Sequence, residues 1–127
     1  MHYRALLLAL LVPLAASRAQ RTQGEMNDSA YRSAHAADST LRVVYRRLEA
    51  KYSQNPVALR KLRAAERAWV AFRDAQIEAT YPLDDNMCGS VQPMCLSMLR
   101  EELTRARIAQ LRAALRHEEG DVCEGGP

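Results

Sequence analysis

The chain has 127 residues, of which 48% are hydrophobic, 26% are charged and 6% are aromatic, and its formal net charge is +3. This composition excludes collagen-like, low-complexity and polytopic membrane proteins, and it fits one small globular domain.

The first 19 residues have the pattern of a secretory signal peptide. A weakly positive start precedes an apolar run from Ala5 to Ala16, and Ser17-Arg18-Ala19 offers a cleavage site between small residues. The run is shorter than the roughly 20 apolar residues that a membrane-spanning helix needs. We therefore predict cleavage before Gln20 and a periplasmic or secreted product with no membrane span.

Removal of residues 1–19 changes the charge balance. It deletes two arginines and no acid, which leaves 16 basic and 15 acidic residues. A net charge of +1 does not provide the one-sided positive field that nucleic-acid binding requires. We predict no nucleic-acid partner.

Two helices are predicted in the first part of the mature chain, because apolar residues recur there at helical spacing. The first covers about residues 24–53. Pro56 cannot continue it but suits the first turn of a new helix, and Asn55 is a suitable capping residue. The second helix is therefore predicted over residues 56–79.

A third helix is predicted over residues 93–117, after an irregular loop between Tyr81 and Pro93. Residues 118–127 are predicted to be a flexible tail. The pattern shows no strand-like alternation, so the predicted fold class is all-α, a bundle of three helices in one domain over residues 20–117. The predicted core contains Leu41, Tyr45, Leu62, Trp69, Phe72 and Leu103.

Four charged residues fall on the apolar faces of these helices, namely Asp38, Glu66, Arg73 and Arg107. Buried charges are tolerated only when they are paired and hydrogen-bonded, so we predict that the two acids pair with the two arginines. A structural role is favoured over a two-carboxylate hydrolytic site. Such a site needs a carboxyl with a raised pKa, whereas adjacent arginines would lower it.

Cys88, Cys95 and Cys123 allow three pairings, each of which leaves one thiol over. A straight helix after Cys95 would place Cys123 about 33 Å away, whereas bridged Cα atoms lie within about 7 Å. We therefore predict a disulfide between Cys88 and Cys95, with Cys123 free or intermolecular. The repeated Met-Cys of Met87-Cys88 and Met94-Cys95 makes a copper(I) site a weaker alternative, but no pair has metal-ligand spacing, so no metal or cofactor is predicted.

Three sequence blocks lie on the predicted helices. They are Ala37-Asp38-x-x-Leu41-x-x-x-Tyr45, Leu62-x-x-Ala65-Glu66-Arg67-Ala68-Trp69-x-x-Phe72-Arg73-Asp74-Ala75 and Leu103-Thr104-x-x-Arg107-x-x-x-Leu111. Together they resemble the LprI-like lysozyme-inhibitor family of small exported bacterial helical proteins. The resemblance implies a binding protein, not an enzyme, that blocks a cell-wall hydrolase of the lysozyme type.

Two functions therefore stay open, inhibition of such a hydrolase and a periplasmic accessory or ligand-binding role in the envelope without lysozyme inhibition. The loop between the second and third helices is the long projection of the predicted fold. Its Asp84, Asp85 and Ser90 are the candidate partner-binding residues, because the two acids could meet a basic rim on a partner. The alternative for this loop is a solvated connector.

Overall fold

Three helices make up the described part of the molecule. The computed structural model describes residues 21–82 and 86–116, and within them no strand occurs. The all-α three-helix prediction is confirmed, and the observed helix ends differ from the predicted ones by at most two residues. The helices are α1 (Gln23–Lys51), α2 (Pro56–Thr80) and α3 (Gln92–Arg116), with a short 3-10 segment over Asn86–Val91 before α3.

Several predictions concern residues outside the described part. These are the signal peptide over residues 1–19, the partner-binding Asp84 and Asp85, and the tail over residues 118–127 with Cys123. In the described part, no helix has the length and apolar character needed to cross a membrane.

Side-chain caps explain where the first two helices begin. The hydroxyl of Thr22 accepts a hydrogen bond from the Glu25 amide at 3.2 Å, and the Glu25 carboxylate accepts one from the Thr22 amide at 2.8 Å. This reciprocal pair satisfies amides that the first turn of a helix leaves without partners. Asn55 caps α2 in the same position, accepting from the Ala58 amide at 3.0 Å, and Pro56 follows as its first residue.

Helices α1 and α3 run in the same direction and pack most closely. The Asn27 side chain donates to the Ser90 carbonyl at 3.1 Å near the start of both helices, and Lys51 Nζ donates to the Ala114 carbonyl at 3.2 Å near their ends. Ala34 on α1 is buried, and its small side chain lets the two helix backbones approach. The parallel pair therefore forms the centre of the fold.

Helix α2 runs antiparallel to α1. The guanidinium of Arg63, near the start of α2, pairs with Glu49 near the end of α1 at 2.8 Å. Leu62 is the buried apolar residue of α2, and Arg73 is the other buried residue of this helix. Long polar side chains therefore hold much of α2 against the α1 and α3 pair.

The apolar core lies where the second half of α1 meets α3. Of the predicted core residues, Leu41 and Leu62 are buried, whereas Tyr45, Trp69 and Leu103 are partly buried. The core cluster consists of Leu41, Val44, Leu48, Leu62, Ile108 and Leu111.

The prediction that Phe72 belongs to the core is wrong, since 55% of this residue is exposed. Successive residues of an α-helix point about 100° apart. The neighbouring Arg73 takes the inward direction, so Phe72 lies on the flank of α2.

Candidate functional site

A charged network near the middle of the bundle joins all three helices. Asp38 Oδ1 on α1 accepts hydrogen bonds from Arg73 Nη1 on α2 at 3.2 Å and from Thr104 Oγ1 on α3 at 3.3 Å. Its Oδ2 accepts from Arg100 Nε on α3 at 2.9 Å. Thr104 is fully buried, and only 7% of the Arg73 side chain is exposed. One carboxylate therefore connects the three helices.

A second ion pair joins α2 to α3. Glu66 Oε2 accepts from Arg107 Nε at 3.1 Å and from Arg107 Nη2 at 3.0 Å. The ring of Trp69 lies between two arginines, with its centroid 5.2 Å from Arg73 Cζ and 5.8 Å from Arg107 Cζ. Cations at this distance are attracted to the face of an aromatic ring. Trp69 thus links the two ion pairs.

Each of the two predicted acids pairs with one of the two predicted arginines: Asp38 contacts Arg73, and Glu66 contacts Arg107. Arg100 and Thr104 were not among the predicted site residues. Arg100 precedes Arg107 by seven residues, which is about two turns of one helix face, and this spacing is the signal that could have identified it.

The connection between α2 and α3 is tied to the start of α1. The carbonyl of Ser90 accepts from the Asn27 side chain, and the buried Gln92 donates from Nε2 to the Pro82 carbonyl at 3.0 Å. Gly89 has a φ of 53°, a left-handed conformation that favours glycine. Ser90 itself is exposed. It is the described member of the predicted partner-binding set.

A groove opens beside Asp38, next to this connection. Tyr31, one helical turn after Asn27, is 63% exposed at the groove, and its ring centroid lies 6.1 Å from that of His35. The cavity has a volume of about 390 Å³. Its lining has apolar and polar side chains, so it can hold a protruding side chain or a small molecule. The lining residues are Tyr31, Ala34, His35 and Asp38 of α1, Ile77 and Glu78 of α2, and Leu96, Ser97 and Arg100 of α3.

Two groups near the network have shifted pKa values. Burial raises the pKa of the Tyr45 phenol above 10.0, and the nearby carboxylate of Glu49 raises it further. Hydrogen bonds from Arg105 and Ser33 lower the pKa of Glu101. Neither group lines the groove, so these shifts give no sign of acid–base chemistry there.

Charges are distributed unequally between the two ends of the bundle. We define the basic end as residues 40–67 and 105–116, which contain twelve basic and two acidic residues. The acidic end comprises residues 21–39, 73–82 and 86–102, with four basic and seven acidic residues. The net charges are therefore +10 and −3. The groove and the connection between α2 and α3 lie at the acidic end.

The predicted disulfide is not formed in the structure, where Cys95 is a free thiol. Cys95 lies in the first turn of α3 and lines a surface depression with Tyr81 and Leu99. Spacing along the chain made Cys88 the nearest partner, but it does not determine which way the Cys95 side chain points. The Cys88 side chain is outside the described part. Among the described residues, no group of three potential metal ligands is found.

The chain is similar to a described protein family. The profile of the family described as "Lysozyme inhibitor LprI" matches residues 15–111. A protein of Rhizobium meliloti, described as uncharacterized, is 31% identical in an alignment over 109 residues, with a coverage of 77% for each chain. No solved structure matches the chain.

Proposed function

The chain belongs to the lysozyme inhibitor LprI family, and from this membership we propose that it is an exported protein that binds and inhibits a lysozyme-type cell-wall hydrolase. Membership supports an inhibitor-like role at the level of the family. The predicted signal peptide supports export to the periplasm or beyond. Family membership does not specify the binding surface, which depends on the geometry of this chain.

The observation that carries the proposal is the groove at the acidic end. Its wall contains Asp38 and Arg100, which the network holds in place, so the groove is formed before a partner arrives. A surface that needs no ordering on binding loses less conformational entropy. The exposed Tyr31 adds an aromatic contact of the kind that dominates many protein interfaces.

The charge of this end indicates which partner surface fits. Seven described acids lie there, and Asp84 and Asp85 stand in the sequence between Pro82 and Asn86, which both belong to this end. We propose that this end contacts a basic rim around the substrate cleft of the hydrolase, where it blocks the glycan. Complementary charge accelerates encounter and fixes orientation. Ser90 is the proposed hydrogen-bonding contact of the loop.

Titration of residues 20–127 into a lysozyme activity assay tests the proposal. The combined Asp84→Ala, Asp85→Ala and Ser90→Ala variant should weaken inhibition at least about tenfold, because it removes two interface charges. Tyr31→Ala should weaken it as well. The free energy of unfolding should change by less than about 0.5 kcal/mol in the triple variant, which is usual for surface substitutions such as that of the exposed Ser90.

The matched control is the double variant Arg60→Gln and Lys61→Gln at the basic end, which also removes two charges. It should inhibit as well as the unmodified protein. Full inhibition by both the triple variant and Tyr31→Ala would show that the acidic end is not the binding surface.

The size and lining of the groove favour a second candidate function. A cavity of about 390 Å³ with Ala34, Ile77 and Leu96 in its wall falls within the range of small-molecule sites. An envelope accessory protein that binds a small ligand would use this groove without inhibiting any lysozyme. Absence of inhibition at micromolar protein, together with a ligand-dependent rise in melting temperature that Tyr31→Ala removes, would favour this function.

A further inference from the structure

The basic end carries cations that have no bonding partner within the described part of the protein. Seven of them are exposed, and none forms a side-chain hydrogen bond or an ion pair with another described residue. They come from all three helices and surround the end where α1 and α3 finish and α2 begins. They are Arg46, Arg47, Arg60, Lys61, Arg67, Arg112 and Arg116.

The basic end keeps an excess of positive charge when the acids that follow α3 in the sequence are counted with it. Residues 117–127 follow Arg116, the last residue of α3, in the sequence and contain four acids. Counting those acids leaves the basic end with a net charge of +6. Six of the seven exposed cations are arginines, whose planar guanidinium groups bind phosphate oxygens in pairs.

The tip of this end also exposes an apolar side chain. Val57 is in the first turn of α2, 52% exposed, and lies three and four residues before Arg60 and Lys61, so the three share one helix face. A lipid headgroup region accommodates an apolar side chain among cations, and long basic side chains extend to its phosphates. A fully hydrated polyanion offers the valine no such environment.

Nucleic acid fits this surface less well. Single-stranded nucleic acid is held by exposed aromatic rings on which bases stack. The aromatic residues of the basic end, Tyr45 and Tyr52, are only partly exposed because they pack against the core. The described part of this end therefore lacks a stacking surface.

We propose that the basic end docks on the surface of an anionic phospholipid bilayer. The contact is peripheral, with phosphate groups of the lipids paired to arginines of the three helices. Such docking directs the opposite, acidic end away from the bilayer. The inference does not depend on lysozyme inhibition.

Co-sedimentation with vesicles tests the docking. Residues 20–127 are used, because the apolar leader would itself partition into lipid. The protein should bind vesicles with about 30 mol% phosphatidylglycerol and not vesicles of phosphatidylcholine alone. Binding should weaken as salt is raised from about 0.05 M to 0.5 M, since salt screens exposed charges.

Two double variants that lose the same charge distinguish binding through the basic end from attraction by the net charge of the protein. Arg60→Gln with Lys61→Gln should lower the vesicle binding constant about 25-fold, from a factor of about five for each cation near an anionic surface. Arg21→Gln with Arg32→Gln removes two exposed cations from the acidic end and should lower it less than about threefold.

Three results would overturn the proposal. The first is absence of binding to anionic vesicles at low salt. The second is an equal loss in the two double variants, which would indicate attraction by net charge alone. The third is binding to soluble inorganic polyphosphate that anionic vesicles do not displace, which would identify a soluble polyanion as the ligand.

Discussion

Polar contacts that join all three helices depend on the single side chain of Asp38. Arg73, Arg100 and Thr104 all donate to it, and they come from the two helices other than its own. Removal of one partner from a buried ion pair leaves the other charge uncompensated, which costs more than the pair itself contributes.

We expect Asp38→Asn to lower the free energy of unfolding by about 3–5 kcal/mol, because the buried Arg73 would lose its less exposed carboxylate partner and Arg100 would lose its only one among the described residues. Asp74→Asn is the matched control. Asp74 also pairs with Arg73, but 56% of its side chain is exposed, so its loss should cost less than about 1 kcal/mol. Urea denaturation followed by circular dichroism compares the two, and equal destabilisation would contradict a central role for Asp38.

Trp69 and Phe72 provide a second comparison on the same helix. Trp69→Ala should lower the free energy of unfolding by about 3 kcal/mol, because its ring packs against the core and between two arginines. Phe72→Ala should change it by less than about 0.5 kcal/mol, because Phe72 is exposed. Thermal denaturation of both variants checks this, and a larger loss for Phe72→Ala would mean that the core extends to the flank of α2.

These residues also show what a sequence can predict at this scale. The inward acids were predictable because a charge on an apolar helix face requires a partner. Phe72 was wrongly predicted to be buried because an aromatic residue beside an apolar stripe has the same hydropathy whether it points inward or along the flank. The position of Phe72 depends on how Arg73 is oriented, and this is set by Asp38 on another helix.

At the scale of the helices, the α1 and α3 contact depends on small residues. Ala37 on α1 is 2% exposed where the two helices pack, so Ala37→Leu should destabilise the fold by about 1–3 kcal/mol through overpacking. Ala36→Leu, at the exposed neighbouring position, should change stability by less than about 0.5 kcal/mol. Melting temperatures of the two variants would measure the difference, and a tolerated leucine at position 37 would show that the helices can separate without cost.

Helix positions were predictable to within two residues because local chemistry sets them. Asn55 and Pro56 mark the start of α2 in the sequence as clearly as in the structure. The packing order of the helices was not predictable in this way. The sequence predicted Leu62, Trp69 and Phe72 of α2 as core residues, whereas Leu62 is the apolar residue of this helix that the structure buries.

At the scale of the whole molecule, the separation of charge gives the protein two different ends. A net charge of +1 for the mature chain suggested no one-sided field, because summing over the sequence cancels charges that the antiparallel course of α2 places at opposite ends. Folding brings the cations of three distant segments together. The sum could not reveal this, since it depends on the direction in which each helix runs.

Both proposals together predict that a lipid-bound protein can still capture its target. When residues 20–127 are docked on anionic vesicles, the hydrolase should co-sediment in excess of what the same vesicles retain alone, because the acidic end remains free. The Asp84→Ala, Asp85→Ala and Ser90→Ala variant should bind the vesicles equally well without this excess. Loss of target capture by the unmodified protein on vesicles would mean that the two surfaces overlap.

The parallel arrangement of α1 and α3 has a consequence for how the chain folds. The contacts between Asn27 and Ser90 and between Lys51 and Ala114 each join residues 63 positions apart. Closing a loop of that length costs entropy before any core contact forms, and high contact order slows folding. We therefore expect slower folding than in bundles whose consecutive helices pack. During synthesis, the apolar face of α1 stays uncovered until α3 has been made.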